Sequence, residues 1–471
     1  MSTPSDSTVA LTVASPFDGH AIAEIPITPE HQLEEMLQHA HSLFRDRDAW
    51  LPLHERVAIL ERTAISMENR QAELARLAAA EGGKPLFDSQ IEVTRAIDSV
   101  RLCIEHLRSD AGQVVPMWGT DASAHRVAFT QKEPVGVVVA VSAFNHPLNL
   151  IVHQVAPAVA TGCPVIVKPA TVTPLSCLRF VELLHEAGLP DGWAEVAVLT
   201  DDAVAENLVT DPRVGFFSFI GSARVGWMLR SKLAPGVRCA LEHGGAAPVI
   251  LADDADLERT VSSITKGGYY HAGQVCVSVQ RVFAPGKVAD EFAAALAESA
   301  NRLNVGDPLD GDTDVGPLIR TNEAQRVADW VSEATDQGAA LRAGGTKIND
   351  HLYKPTVLVD PPMDAKVSRM EIFGPVVNVY GYADIAAALR AANSLPFAFQ
   401  AAVFTQDIDR ALSMYRALDA SAVMVNDHSA FRVDGMPFAG LRESGLGVGG
   451  IPHTMEDMQV DKMLVINSPA L

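Results

Sequence analysis

Cys276 lies in a segment whose residues leave room around its sulfur. The segment, residues 266–281, reads KGGYYHAGQVCVSVQR, so Gly273 and Gln274 come shortly before the cysteine. Small and amide-bearing neighbours let a substrate and backbone donors approach a thiol, whereas a structural cysteine usually packs among bulky aliphatic side chains. The pattern is typical of a nucleophilic cysteine, although this segment alone leaves open a buried and unreactive one.

Two further side chains have the chemistry to assist such a cysteine. Asn145, in SAFNHP directly after the apolar run GVVVAV, could donate to an oxygen that becomes negative when a thiolate adds to a carbonyl. Glu242, in LEHGGAAP, could act as a general base for water if burial raises its pKa. Taken alone, Asn145 could also only shape a turn, and Glu242 could be an ion-paired surface residue.

Two other segments have features of a nucleotide site. Lys168 ends the strand-like run VIVK and precedes a proline, where a fixed ammonium could bind ribose hydroxyls or phosphate. Gly221 and Ser222, in FIGSARVG, join a strand to a helix start, where backbone N–H groups and the helix dipole can meet a pyrophosphate. A solvated lysine and an ordinary turn are the simpler alternatives. The run GLGVGG near Gly445 precedes no βαβ unit, so we do not interpret it as a dinucleotide fingerprint.

These residues need a scaffold, which the order of apolar runs predicts. From 133 to about 234, β-branched runs alternate with helix-length segments at βαβ spacing, which indicates a doubly wound α/β layer with a ligand at the carboxyl ends of its strands. A second alternating region follows from Pro248. Residues 29–82 and 89–110 show helical periodicity. The tail ends in a short apolar strand that we interpret as an oligomer contact.

Composition limits the class of protein. The 471 residues are 48% hydrophobic and 20% charged, which is typical of a folded globular protein. A formal net charge of -21 argues against a sequence-independent nucleic-acid binder. Five cysteines without CxxC spacing favour a reducing cytoplasm over a disulfide framework. Since no signal peptide, membrane-length run or metal motif is evident, we expect a cytoplasmic protein with no membrane or nucleic-acid partner and no metal site.

Eight motifs together resemble those of the aldehyde dehydrogenase superfamily, over residues from about 16 to 464. In chain order they read EPVGVV, FNHP, KPA, FIGSARVG, LEHGG, GQVC, EIFGP and MPFAGLRESGLG. The resemblance implies an aldehyde dehydrogenase-like α/β fold with a doubly wound NAD(P)-binding domain, a catalytic domain and a small bridging β-sheet. The implied boundaries are 1–117 and 138–243 for the cofactor domain, 244–428 for the catalytic domain, and 118–137 with 452–471 for the sheet. Residues 429–451 would line the substrate pocket and return to the cofactor domain, and the sheet would pair subunits into a homodimer or homotetramer.

The resemblance also implies a role for each motif residue. Cys276 would add to the aldehyde carbon, Asn145 would stabilise the oxyanion with the backbone N–H of Cys276, and Glu242 would deprotonate the water that releases the carboxylate. The cofactor would be NAD or NADP. The residues implied to hold it are Lys168 at the adenosine ribose, Gly221 and Ser222 at the pyrophosphate, and Glu371 and Phe373 at the nicotinamide ribose.

Three departures from the family pattern bear on cofactor choice and proton transfer. Thr171 replaces a glutamate that many NAD-preferring members carry three residues after the lysine, so NADP is not excluded. His271 stands where the family often has an asparagine. Residues 447–449 read GVG in place of GRE, which removes a carboxylate that some members use in proton relay.

Three positions matched to the substrate tunnel are Arg95, His146 and Arg432, where members acting on large apolar aldehydes have aromatic residues. Together they would bind a small anionic group, preferably phosphonate, phosphate or sulfonate, unless one or two of them pair with local carboxylates. The motif combination most resembles the phosphonoacetaldehyde dehydrogenases. We therefore expect phosphonoacetaldehyde as substrate, with lactaldehyde and glyceraldehyde 3-phosphate as alternatives. A cysteine hydrolase with a histidine base and a non-catalytic nucleotide-binding protein are the alternatives of another class.

Overall fold

The structure is a computed structural model that describes residues 10–471. Over that range the chain forms 20 strands and 15 α-helices. The elements up to residue 134 are β1 (Ala10–Ala14), β2 (Ala21–Pro26), α1 (Glu30–Arg45), α2 (Leu53–Asn69), α3 (Gln71–Gly82), α4 (Leu86–Ser109), β3 (Val114–Val115) and β4 (Arg126–Pro134). The helical periodicity predicted for 29–82 and 89–110 is confirmed: the first range forms the three helices α1, α2 and α3, and the second corresponds to α4.

The next hundred residues alternate strand and helix, as predicted. They form β5 (Val137–Val141), α5 (Asn149–Thr161), β6 (Val165–Lys168), α6 (Leu175–Glu186), β7 (Ala194–Val196), α7 (Asp202–Thr210), β8 (Val214–Ile220), α8 (Ala223–Arg230) and β9 (Arg238–Glu242). Helix α8 ends at Arg230, before the predicted limit of 234, because the chain turns there through short-range backbone bonds ahead of Pro235 and Gly236.

The first sheet has the strand order β9-β8-β5-β6-β7, all parallel. The chain moves outward from β5 through β6 to β7 and then returns to β8 on the other side of β5. This reversal opens a crevice beyond the carboxyl ends of β5 and β8, which is where doubly wound sheets bind ligands. Strand β5 is buried because apolar clusters cover both faces of this sheet, which explains its continuous run of β-branched residues.

The second alternating region builds a separate sheet. Its elements are β10 (Ala247–Leu251), α9 (Leu257–Tyr269), β11 (Val279–Pro285), α10 (Gly286–Asn301), α11 (Thr321–Asp336), β12 (Ala340–Ala343), β13 (Thr356–Val359), α12 (Lys366–Arg369), β14 (Val376–Tyr382), α13 (Ile385–Ala392), β15 (Phe397–Ala398), β16 (Gln400–Phe404), α14 (Ile408–Ala417) and β17 (Ala422–Val425). The sheet order is β12-β13-β14-β11-β10-β16-β17, with only β12 antiparallel to its neighbour. Helices on both faces make this a second α/β layer, which confirms the predicted α/β class.

The C-terminal segment returns to the earlier parts of the chain. It forms β18 (Leu441–Arg442), β19 (Gly445–Leu446), α15 (Ile451–Asp457) and β20 (Gln459–Asn467). Strand β19 joins the edge of the first sheet beside β9, and β20 pairs with β4 along nine positions in a three-stranded sheet with β3. In the part of the chain that the structure describes, no helix has the length and apolarity needed to cross a membrane.

Candidate active site

A cavity of about 600 Å³ lies at the crevice of the first sheet, between the loops after β5, β8 and β9 and the segment before β11. Ten of the twelve predicted site residues line it: Arg95, Asn145, His146, Gly221, Ser222, Glu242, Cys276, Glu371, Phe373 and Arg432. The other two, Lys168 and Thr171, are half-buried and flank Ala170, which does line the cavity. Residues from both α/β layers therefore converge on one space.

The backbone before Cys276 turns sharply. His271, Ala272 and Gly273 all have left-handed φ values of 47°, 53° and 69°. Only glycine adopts this region without cost, so the turn is held by its surroundings. The side-chain amide of Gln274 donates to the carbonyl of Pro317 at 3.2 Å and accepts from the N–H of Ile319 at 3.0 Å.

A glycine is required at position 273 because its backbone lies against the EIFGP segment. A Cβ at this position would overlap the carbonyl oxygen of Gly374. The segment that carries Cys276 and the segment that carries Glu371 and Phe373 are therefore in direct main-chain contact.

Asn145 is fixed beside the nucleophile segment. Its side-chain Nδ2 donates to the carbonyl of Gln274 at 2.9 Å. An amide nitrogen has two N–H groups, so this bond sets the plane of the amide and leaves one donor for another acceptor. Asn145 is buried, and it lies two residues before Pro147 at the entry to α5.

The start of α5 is held by a buried ion pair that the sequence analysis did not identify. Lys84 and Glu92 pair with both side chains fully buried. The second oxygen of Glu92 accepts from the backbone N–H groups of Leu148 and Asn149 at 2.9 and 3.0 Å. A carboxylate at a helix N-terminus satisfies donors that have no partner within the helix, so Glu92 fixes the loop that carries Asn145.

Glu242 ends β9, where it lies opposite Ile220 of β8. Burial raises the pKa of its carboxyl group, and the charge of Arg432 only partly opposes this effect. Across residues 10–471, no side chain or backbone group donates a hydrogen bond to this carboxyl group. Gly449 leaves room for the Glu242 carboxyl group, because a Cβ at position 449 would lie only 3.3 Å from its Oε2. A carboxyl group without donors is suited to take up a proton.

Cys276 is a neutral thiol at rest. Burial raises the pKa of its thiol well above the usual range, and the negative charges of Glu242 and Glu371 add to this effect. A neutral thiol is a weak nucleophile, so it needs a base nearby to become reactive.

The cofactor end of the cavity has an unpaired acceptor. Burial raises the pKa of Glu371 to about 8, and its Oε1 is buried without a hydrogen-bond partner among the described residues. Phe373 has a left-handed φ of 49°, and its ring packs edge-on against Phe144 at 5.8 Å. Ser222 begins α8 and is exposed at the cavity. These features fit a nucleotide, because a buried carboxyl group can accept from ribose hydroxyls and a helix start can accept phosphate charge.

At the other end, Arg95 is paired with a carboxylate that lies behind the cavity wall. Its Nε and Nη2 donate to Asp434 at 3.0 and 2.7 Å in a bidentate pair. Asp434 also accepts from Nε2 of His153 at 2.8 Å and from the amide of Asn149 at 3.2 Å. Arg95 is therefore paired with a local carboxylate, which was the alternative to its binding an anionic group of the substrate.

Arg432 and His146 are held differently. The guanidinium of Arg432 lies over the ring of Phe438 at 3.6 Å, and its Nη2 approaches Nδ1 of His153 at 3.5 Å. Nε2 of His146 lies 3.1 Å from the hydroxyl oxygen of Tyr270. Burial lowers the pKa of His146 well below its usual range, so its ring is neutral.

Comparison with known proteins agrees with this geometry. The sequence profile described as "Aldehyde dehydrogenase family" matches residues 3–464. The chain belongs to the aldehyde dehydrogenase family. The 3-sulfolactaldehyde dehydrogenase of Priestia aryabhattai is 38% identical over 458 residues, which cover 97% of this chain and 95% of the relative. The lactaldehyde dehydrogenase of Methanocaldococcus jannaschii is 34% identical over 461 residues, or 97% of both proteins.

A solved structure shows the same architecture. Glyceraldehyde-3-phosphate dehydrogenase GapN from Methanocaldococcus jannaschii, complexed with NADP, superposes with a TM-score of 0.92 at 34% identity. The match covers 97% of this chain and 99% of that one. The protein is an NAD(P)-dependent aldehyde dehydrogenase, and the predicted fold is confirmed.

Three residues of this aldehyde dehydrogenase's site were missed by sequence reasoning: Asn149, His153 and Asp434. One signal was available, because Asn149 and His153 are four residues apart on α5, which is otherwise almost wholly apolar. Polar side chains at this spacing share one helix face, and a buried polar pair needs a partner. The identity of that partner, Asp434, could not be inferred, since it lies 281 residues from His153.

Proposed function

We propose that this aldehyde dehydrogenase oxidises a short aldehyde with a small anionic tail to the carboxylate, through a thioester on Cys276. The observation that carries the proposal is the placement of Cys276, Asn145 and Glu242 on one cavity whose far end presents Arg432. The reacting groups and a cation for the tail therefore line the same cavity.

In the first step, Glu242 accepts the proton of the Cys276 thiol, and the sulfur forms a bond to the aldehyde carbon. The carbonyl oxygen becomes an oxyanion, which accepts from the free N–H of Asn145 and from the backbone N–H of Cys276. The bond from Asn145 to Gln274 keeps that donor in place before substrate arrives, so little reorganisation is needed.

The cofactor would be held by Lys168, Gly221, Ser222, Glu371 and Phe373. Bound there, NAD(P)⁺ would supply the hydride acceptor that oxidation of the carbon attached to sulfur requires. Thr171 puts no carboxylate three residues after Lys168, so position 171 itself would not repel a 2'-phosphate. We therefore propose that NADP is accepted as well as NAD, in keeping with the NADP complex of the related GapN.

Hydrolysis of the thioester is also assigned to Glu242. After Glu242 has released the thiol proton to solvent, its carboxylate removes a proton from water, the water oxygen bonds to the acyl carbon, and the carbon–sulfur bond breaks. The thiol regains a proton and the product leaves as a carboxylate. Because residues 447–449 provide no second carboxylate, Glu242 does this work without a relay partner from that segment.

A tetrahedral anionic group on the substrate tail, such as a phosphonate or sulfonate, best matches the planar pair of N–H donors of the Arg432 guanidinium. Phosphonoacetaldehyde is the substrate favoured by the motifs, and lactaldehyde and glyceraldehyde 3-phosphate are alternatives. The related enzyme from Priestia aryabhattai, a 3-sulfolactaldehyde dehydrogenase, supports a short aldehyde with an anionic tail.

The test is a panel of short aldehydes, charged and neutral, assayed with NAD and with NADP. Cys276→Ser should abolish oxidation while cofactor binding is kept, and Arg432→Ala should raise KM for anionic aldehydes more than for neutral ones. Equal effects of Arg432→Ala on both classes would contradict the proposal that the substrate has an anionic tail.

A second variant tests the cofactor preference. Thr171→Glu should raise kcat/KM for NAD relative to NADP, and an unchanged preference would contradict the proposed influence of position 171.

We also propose that the sheet of β20, β4 and β3 pairs subunits into a homodimer or homotetramer. Four consecutive apolar residues of β20, Met463 to Ile466, are between 41% and 54% exposed at a sheet edge. Such an edge favours pairing with another chain. Light scattering should give a mass of two or four chains, and Leu464→Lys should lower it. We also propose the domain boundaries that the resemblance implies, at 117, 137, 243, 428 and 451. A cytoplasmic location is proposed as well, because five free cysteines favour a reducing compartment.

A further inference from the structure

The substrate end of the cavity has several titratable side chains, and their pairing decides how much charge it presents. Those that line it are Arg95, His146, His153, Tyr270 and Arg432. Lys84 lies behind Tyr270, with its ammonium 5.9 Å from the ring centre. Counted by residue type, this end would present three permanent cations.

Two of these cations are already compensated. The bidentate bonds to Asp434 use two of the three nitrogens of Arg95, and the Asp434 side chain is only 3% exposed. Lys84 pairs with Glu92, and both side chains are fully buried. Each pair is neutral as a unit, so neither attracts an anion as a free cation would.

The two histidines add no charge. Burial lowers the pKa of His146 and also that of His153, although Asp434 opposes the effect at His153. A neutral His153 that donates from Nε2 to Asp434 has a lone pair on Nδ1, and this lone pair faces Nη2 of Arg432 at 3.5 Å. Asp434 thus fixes the tautomer of His153 so that it accepts from Arg432.

Arg432 is the remaining cation. Its guanidinium lies against the Phe438 ring and beside His153, and its Nε is buried without a hydrogen-bond partner among residues 10–471. No carboxylate in the described part of the chain forms an ion pair with it at 4 Å or less. The negative charges that act on Arg432 are those of Glu242 and Asp434, and both lower the positive electrostatic potential around its guanidinium.

Resting on the proposed function but reversing the order of substrates that the motifs favour, we infer that this site selects a tail with one negative charge, such as a sulfonate, over a dianionic phosphonate or phosphate. One guanidinium neutralises one charge. A dianion would leave an uncompensated negative charge in a buried space that the carboxyl group of Glu242 also lines, and such a charge is costly to bury. Asp434 is therefore a specificity-determining residue that acts through Arg95 and His153 without touching the substrate.

The experiment compares sulfoacetaldehyde with phosphonoacetaldehyde, which have the same carbon chain and a tetrahedral tail. At about pH 8.5 the phosphonate is a dianion and the sulfonate is a monoanion. The wild-type enzyme should show a kcat/KM for the sulfonate at least tenfold above that for the phosphonate. The ratio should fall toward one as the pH is lowered to about 6, where the phosphonate gains a proton. Both aldehydes react through the same Glu242 and Cys276, so the change in reactivity when those groups titrate is common to both and cancels in the ratio. A charge on Glu242 disfavours the dianion more, so its protonation changes the ratio in the same direction as protonation of the phosphonate.

Asp434→Asn tests the assignment to this residue. The substitution keeps the shape and removes one negative charge, so the ratio at about pH 8.5 should shift at least tenfold toward the phosphonate. Asp427→Asn is the matched control, since its side chain is 46% exposed and does not line the cavity, and it should leave the ratio unchanged. If Asp434→Asn does not fold, the pH series on the wild-type enzyme still decides.

Each outcome separates the inference from the proposed function. A wild-type preference for the phosphonate at about pH 8.5, or a ratio that does not change with pH, would overturn the single-charge inference and leave the anionic substrate in place. A neutral aldehyde such as propanal that is used as well as either anion would overturn the proposed function itself.

Discussion

Two carboxyl groups near the same cavity are held in opposite ways. Asp434 accepts two bonds from Arg95 and one each from His153 and Asn149. Glu242 accepts none from residues 10–471. Burial acts on both, but at Asp434 the bond from His153 and the charge of Arg95 outweigh it and lower the pKa, whereas at Glu242 burial prevails and raises it.

The difference shows how one pocket contains both a permanent charge and a base. A carboxylate saturated with donors stays ionised and cannot exchange protons near neutral pH. A carboxyl group without donors gains little from being ionised, so it can take a proton and return it. The two roles follow from the donors around each residue and not from the residue type.

Removing the base should have the largest effect. Glu242→Gln should lower steady-state turnover by about 10²–10⁴-fold, because a general base is lost from thioester hydrolysis. Because Glu242 also takes the thiol proton in the proposed first step, the burst of NAD(P)H should be slowed as well. Rapid-mixing absorbance would measure the burst. A burst at the wild-type rate, with a thioester detected on Cys276 by intact-protein mass, would show that Glu242 is not the base of the first step.

Removing the permanent charge should act on stability and binding instead. Asp434→Ala leaves Arg95 and His153 without their acceptor, which should lower the free energy of unfolding by roughly 1–3 kcal/mol. KM for dianionic aldehydes should fall while kcat changes less, because Arg95 is freed as a second cation and Asp434 does not contact the reacting atoms. A variant with unchanged stability but a strongly reduced kcat would show that the two carboxyl groups are not distinct in role.

The residues that we propose to react could be located from sequence because each lies in a local motif next to one end of a strand. Asn145 follows β5, Glu242 ends β9, and Cys276 stands three residues before β11. The α/β class followed from runs of β-branched residues at βαβ spacing, which is also local information. The eight motifs in order added the family, and the family match confirms it.

What sequence could not supply was the partner of each charged residue. Arg95 meets Asp434 across 339 positions, and this pairing changes Arg95 from a free cation to a neutral unit. Residue types give the number of charges in a pocket but not which of them cancel. Lys84 and Glu92, by contrast, are only eight residues apart at the start of α4, yet nothing in their spacing shows that both are buried.

The comparison also predicts opposite pH dependence of stability. The raised pKa of Glu242 means that the folded state binds its proton more tightly, so this group favours folding below its unfolded pKa and loses that contribution as pH rises through the folded pKa. The lowered pKa of Asp434 favours folding above its unfolded pKa, and that contribution is lost as pH falls.

Calorimetry of Glu242→Gln should therefore show a melting temperature up to about 2 °C above wild type at about pH 8 and little difference at about pH 4. The opposite sign at pH 8 would mean that the Glu242 carboxylate is stabilised in the folded protein.

The smallest expected effect concerns the space around Glu242. In Gly449→Ala the new methyl group would lie 3.3 Å from Oε2 of Glu242 and 3.0 Å from the carbonyl oxygen of Phe438. This crowding should slow thioester hydrolysis by about threefold, which corresponds to ~0.6 kcal/mol in the barrier. Since Glu242 is also the proposed base of the first step, single-turnover acylation should slow by no more than a similar factor, and a burst slowed much further would indicate that the methyl group disturbs more than the base.

The contact of Gly273 with Gly374 has a mechanical consequence. With no side chain between them, the stretch of backbone bearing the sulfur and the stretch reaching toward the dinucleotide behave as one rigid joint. A displacement of the segment that carries Glu371 and Phe373 would therefore reach the backbone before Cys276 directly, with no side chain between them to absorb it.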